Sequence, residues 1–88
     1  MAVAHYQVEL RPAAVRALRK IDPKMRERIH GAIALLASDP RPPASRQLKG
    51  REGRRVRVGD YRITSTIADD VLLIVVVTVG HRREVYDR

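Results

Sequence analysis

The stretch Arg54-Arg55-Val56-Arg57-Val58-Gly59-Asp60-Tyr61-Arg62-Ile63-Thr64 decides the fold. Apolar and basic residues alternate on both sides of Gly59-Asp60, and a period of two marks half-buried strands. Two such runs separated by a Gly-Asp pair form a hairpin with a two-residue loop. Closing the hairpin there sets Val58 opposite Tyr61, Arg57 opposite Arg62, Val56 opposite Ile63 and Arg55 opposite Thr64. Val56, Val58, Tyr61 and Ile63 then share one face, and Arg55, Arg57 and Arg62 share the other. A slip of one residue would exchange the faces, so the charge arrangement depends on this turn. Alternation continues to Ile67, Ala68-Asp69-Asp70 supplies another turn, and residues 71–79 form a strand apolar on both faces, expected in the sheet interior. Pairing across that turn is expected to bring Val77 beside Arg62 and Val75 beside Thr64.

Upstream, Tyr6, Val8 and Leu10 alternate with His5, Gln7 and Glu9, which predicts a first strand. Pro12 suits the first turn of a helix, where its missing N–H is not needed. Ala14, Val15, Leu18 and Ile21 form a helical stripe. Asp22-Pro23 restarts a helix as N-cap and first residue, followed by Met25, Ile29, Ala32, Ile33 and Leu36 at spacings of three and four. The run Ser38-Asp39-Pro40-Arg41-Pro42-Pro43 ends that helix in an extended loop, because residues before proline avoid the helical region. The expected order is β-α-α-β-β-β in one domain over residues 1–88. It is an α+β fold, with a two-helix hairpin packed on one face of a mainly antiparallel four-stranded sheet.

Composition narrows the chemistry. The 88 residues carry 18 Lys+Arg against 10 Asp+Glu, a net charge of +8. Residues 41–62 hold eight basic and two acidic residues, so most of that excess lies in one quarter of the chain. Such a concentration fits a phosphate-rich or acidic partner. A chain this short buries one modest core, so its site is expected on the surface and not in a deep cavity. No cysteine is present, which removes disulfides and thiolate metal sites and favours a reducing, cytoplasmic setting. The longest apolar run is about half of the roughly 20 residues a membrane helix needs.

Three arginines converging on one sheet face are the most informative feature. Like charges on facing positions are destabilising, and no carboxylate on these strands shares the face. A ligand is therefore expected to bring the compensating charge, and a guanidinium fork matches phosphate geometry. After Gly80, His81 is the one side chain near a strand end whose ordinary pKa suits proton transfer near neutrality. His5 and His30 are expected on solvated surfaces. Three scattered histidines make no metal signature, so no metal or cofactor is expected.

The residues Arg55-Val56-Arg57-Val58-Gly59-Asp60-Tyr61-Arg62 and Val79-Gly80-His81-Arg82-Arg83-Glu84-Val85-Tyr86, together with Leu48-Lys49-Gly50, resemble the signature of the RelE/ParE superfamily of bacterial toxins. The resemblance covers nearly the whole chain. In its RelE branch it implies a ribosome-dependent, metal-independent endoribonuclease that cuts mRNA in the A site by attack of the ribose 2′-hydroxyl. On that footing Arg62 would stabilise the reacting phosphate, Arg82 would neutralise or protonate the leaving group, and Tyr86 would stack on or orient a base. Arg55 and Arg57, with Lys49 and Arg54, would bind RNA. Arg55 and Arg57 stand where the best-known member has lysines, and arginine is a poor base. His81 is therefore the candidate for proton transfer. The implied partners are a cognate acidic antitoxin and the ribosome with its mRNA. The alternatives are a ParE-like inhibitor of DNA gyrase and a non-catalytic basic RNA-binding module.

Overall fold

The computed structural model describes residues 5–81. Its elements run β1 (Gln7–Leu10), α1 (Pro12–Arg19), α2 (Pro23–Leu36), β2 (Arg46–Gln47), β3 (Arg54–Val58), β4 (Tyr61–Ala68) and β5 (Leu73–His81). The five strands form one mixed sheet in the order β1-β5-β4-β3-β2, with β1 parallel to β5 and the other pairs antiparallel. The α+β architecture agrees with expectation, but the sheet has five strands where four were expected. The extra one, β2, is two residues long and has no alternating pattern of its own. It exists because Arg46 and Gln47 pair with Arg55 and Arg54.

The helical hairpin forms for local reasons. Pro12 and Pro23 open the two helices, and Asp22 caps the second by accepting from the Met25 amide at 3.4 Å. Capping of this kind satisfies a donor that the first turn otherwise leaves without a partner. Arg26 then ties the helices together. Its Nε donates to the Leu18 carbonyl at 2.9 Å, and its Nη2 donates to Ile21 at 2.8 Å and Arg19 at 3.2 Å. The carbonyls at the end of α1 thus gain partners from α2.

The apolar stripes of both helices bury against one face of the sheet. Ala14, Leu18, Ile21, Ile29 and Ile33 pack with Ile63, Val76 and Val79, while Leu36 packs with Val56 and Ile74. Val76 and Val79 are three residues apart, yet both face the helices. Strict alternation would forbid this, and a register shift between Thr64 and Ser65 allows it: Thr64 pairs with Thr78, Ser65 pairs with Val76, and Val77 is the extra residue of a bulge.

The β4–β5 connection also departs from expectation. Residues 69–72 form the turn, Ala68 pairs with Leu73, and β5 starts at Leu73 and not at residue 71. Leu72 has φ +52°, a left-handed conformation rare for a leucine. A two- or four-residue turn around Asp69-Asp70 was expected; the four-residue turn falls one position further along the chain, and with the bulge it moves β5 along β4. Gly80, not Val77, lies beside Arg62, and Thr78, not Val75, lies beside Thr64. The arginines therefore do not stand on a valine patch. Residues 38–45 lead from α2 to β2, and Arg41 reaches from this loop to the β4–β5 turn. It makes a two-pronged contact with Asp69 at 2.8 and 3.1 Å, and the Tyr6 hydroxyl donates to the same carboxylate at 2.6 Å.

Candidate functional site

The β3–β4 hairpin has the register its sequence predicts: Val58 pairs with Tyr61, Arg57 with Arg62, Val56 with Ile63 and Arg55 with Thr64. Gly59 makes the two-residue loop possible. Its φ of +59° with an ordinary residue after it is the sign pattern of a type II′ turn, whose twist matches the strands. A Cβ at Gly59 would lie 2.9 Å from the Met25 methyl, a flexible chain end that can swing aside, so it is the positive φ that favours glycine here.

Alternation then sends Arg55, Arg57 and Arg62 to the face turned away from the helices, while Val56 and Ile63 bury beneath α1 and α2. Arg57 is exposed, and Arg55 and Arg62 are half-buried. Thr64, which pairs with Arg55 on this face, is only 7 % exposed, so the guanidiniums surround a covered floor. Gly80 faces Arg62 from β5 and adds no side chain to crowd it. The short strand β2 contributes a fourth arginine. Arg46 pairs with Arg55 and is exposed.

Electrostatics confirm that these groups act on one another. Burial lowers the Arg55 pKa first, and repulsion from Arg62, Arg57 and Arg46 lowers it further. A guanidinium remains protonated even so. The shift therefore reflects burial first and the neighbouring positive charge second, and a bound anion would oppose both.

Other expected site residues are placed differently. Arg54 belongs to the helix-side register, and its Nε donates to the buried Ser45 hydroxyl at 2.9 Å, which pins the loop before β2. Lys49 is exposed in the loop between β2 and β3, away from the Gly59-Asp60 end of the hairpin. His81 pairs with Tyr61, and the two rings meet edge to face at 5.3 Å. That pairing puts the imidazole in the helix-side register, whereas Arg62 and Gly80 belong to the opposite face. Arg82 and Tyr86 lie outside the described residues. Arg46 was not anticipated, because two residues are too few to show a strand pattern.

The hollow at the hairpin end, lined by Arg57, Gly59, Asp60, Tyr61 and Arg62, has a volume of about 80 Å³. Small-molecule pockets begin at roughly 300 Å³, so this face suits a strand of polymer laid across it better than an enclosed metabolite. A larger groove of about 370 Å³ lies between α1 and the end of β5, lined in part by Arg16, Lys20, Tyr61 and Val79. None of the four arginines on the open face lines it. Among the described residues no three His, Cys, Asp or Glu side chains gather as a metal site, and no helix is long and apolar enough to cross a membrane.

Helix hairpin, mixed sheet and a basic open face define a toxin of the RelE/ParE fold. The chain belongs to the ParE toxin family of type II toxin–antitoxin systems (parDE), which it matches over residues 8–86. Solved structures agree in fold. The RelBE2 toxin–antitoxin complex from Mycobacterium tuberculosis superposes with a TM-score of 0.80 at 25 % identity, covering 92 % of this chain and 95 % of that one. The RelB–RelE antitoxin–toxin complex from Methanococcus jannaschii gives 0.72 at 25 % identity, covering 90 % and 95 %. The intact RelBE complex of E. coli gives 0.76 at 20 % identity, covering 97 % and 100 %. No curated protein is significantly similar in sequence.

Proposed function

We propose that this toxin is a ribosome-dependent, metal-independent endoribonuclease that cuts mRNA in the A site, acting in the cytoplasm. The observation that carries the reading is the convergence of Arg55, Arg57 and Arg62 on the open sheet face, with Arg46 alongside. In the proposed reaction the ribose 2′-oxygen attacks the adjacent phosphorus and the 5′-oxygen leaves. The 2′-hydroxyl gives its proton to solvent water and the leaving oxygen takes one from solvent water, which yields a cyclic phosphate and a free 5′-hydroxyl. Negative charge builds on the non-bridging oxygens as the phosphorus becomes five-coordinate. Fixed cations aimed at that charge lower the barrier without reorganising during the reaction.

Arg62 is the proposed principal stabiliser, because it is half-buried on the middle strand of the sheet and faces Gly80 on β5, which leaves room beside it. The guanidiniums act by charge and orientation, since they do not give up a proton near neutral pH. Arg82 and Tyr86 keep the roles the family resemblance implies, at the leaving group and the base. His81, held beside Tyr61, is proposed as a structural residue and not as the proton-transfer group. A cognate antitoxin with an acidic segment would silence the toxin by covering the arginine face, as charge complementarity favours.

The test is induction of Arg62→Ala and His81→Ala in cells, with cut sites mapped on ribosome-bound mRNA. Arg62→Ala is expected to abolish both growth arrest and cleavage while the protein stays folded by circular dichroism. His81→Ala is expected to cleave within a few-fold of wild type. Undiminished cleavage by Arg62→Ala would overturn the assignment. The match to the ParE family favours a second reading, inhibition of DNA gyrase. Loss of gyrase supercoiling in the presence of the purified toxin, with no mRNA cut, would establish that reading in place of the first.

A further inference from the structure

The arginine row is longer than the hairpin that displays it. Arg57 and Arg62 face each other across β3 and β4, and Arg55 and Arg46 face each other across β3 and β2. The two pairs are offset by two residues along β3, roughly 6.8 Å in an extended strand. We propose that the row is a two-phosphate track for single-stranded RNA: Arg57 and Arg62 hold one phosphodiester, Arg46 and Arg55 hold the next, and Arg46 is a substrate-positioning residue. The inference rests on the nucleic-acid reading of this face given above.

Three observations lead to it. Arg46 pairs directly with Arg55 across β2 and β3, and its charge acts on Arg55 after those of Arg62 and Arg57, so the β2 arginine adjoins the hairpin arginines in space and in charge. The chain forms β2 only over Arg46–Gln47, and this minimal strand is enough to hold Arg46 opposite Arg55. The arginines also come in facing pairs. A carboxylate presents two coplanar oxygens that one guanidinium fork can saturate, whereas a tetrahedral phosphodiester turns its two free oxygens toward two forks at once. Paired forks therefore fit a phosphate backbone better than an acidic peptide. Tyr6 and Tyr61 both belong to the helix-side packing, so neither offers a stacking surface on this track. The grip is on the backbone and tolerates any base at these two linkages.

The probe is a fluorescein-labelled single-stranded oligodeoxyuridine decamer, which lacks the 2′-hydroxyl and cannot be cut. Binding is followed by anisotropy from 25 to 200 mM salt for the full chain and for Arg46→Gln, Arg57→Gln and Lys24→Gln. Each phosphate contact on a single strand contributes roughly 0.7 to the slope of log K against log salt. Arg46→Gln and Arg57→Gln are each expected to reduce the slope by up to about 0.7. Lys24→Gln, on the exposed start of α2, is expected to leave it unchanged. An unaltered slope for Arg46→Gln, or tighter binding of a glutamate decamer than of the oligonucleotide, would overturn the proposal. Its failure is separable from failure of the nuclease reading. Slopes that fall as expected in a toxin that cuts no mRNA would leave the track standing and remove the nuclease. An unaltered Arg46→Gln slope beside cleavage abolished in Arg62→Ala would do the reverse.

Discussion

At the scale of single residues, the sharpest electrostatic feature outside the arginine face is Asp69. Its carboxylate accepts from the Arg41 guanidinium and from the Tyr6 hydroxyl, and these bonds hold its pKa down to about 2 from an ordinary 3.8. The same contact raises the Tyr6 pKa, since the phenol is donating to an anion. A carboxyl whose folded pKa is depressed favours the folded state above its unfolded value, and that contribution disappears as pH falls through the folded one. The window for Asp69 is thus pH 4 down to 2. Denaturant titrations of wild type and Asp69→Asn should show wild type more stable at pH 5 and the two curves converging toward pH 2. Both partners are about half exposed, so added salt should narrow the gap at pH 5 as well. A gap independent of pH would mean that the carboxylate charge is not what this contact uses.

At the scale of elements, the helix hairpin depends on a bond set that periodicity does not reveal. Arg26 reaches two carbonyls at the end of α1 and that of Ile21 just beyond it, and a charged donor contributes more per bond than a neutral one. Arg26→Ala should therefore lower stability by roughly 2 kcal/mol. Arg26→Lys should restore less than half of this, because one ammonium cannot copy a planar fork. Urea midpoints with unchanged slopes would check both, and equal midpoints for lysine and arginine would show that the fork is not required. Elements set by neighbouring residues were legible in advance: Asp22-Pro23 starts α2, and Gly59-Asp60 closes β3 on β4 in the predicted register. What escaped was set by distant packing. Nothing in Leu72 announces a left-handed turn residue, and nothing in Val77 announces the bulge that seats Val76 and Val79 together under the helices. Those two events displaced the β5 partner of Arg62 by three residues. They also explain why the arginine cluster could be foreseen while His81's place beside Tyr61 could not.

For the whole molecule, the arginine face sets stability against function. The helices and one side of the sheet bury the core, and the other side carries the arginine cluster. Like charges on directly facing positions are destabilising, and repulsion from Arg62, Arg57 and Arg46 adds to burial in lowering the Arg55 pKa. Arg57→Gln should therefore make the free toxin more stable by about 0.5 kcal/mol at low salt, although it is expected to bind nucleic acid less well. For a domain of this size that is roughly 2–4 °C in Tm. The gain should shrink in 0.5 M salt, where exposed charges are screened over a few ångströms. It should also shrink for wild type against variant when the oligodeoxyuridine decamer is present, since ligand binding stabilises wild type more. Thermal scans in low salt, in high salt and with the decamer separate these contributions. A lower Tm for Arg57→Gln in low salt would show that Arg57 is tied into the fold, and the face would then be a structural network and not a surface held open for a phosphate chain.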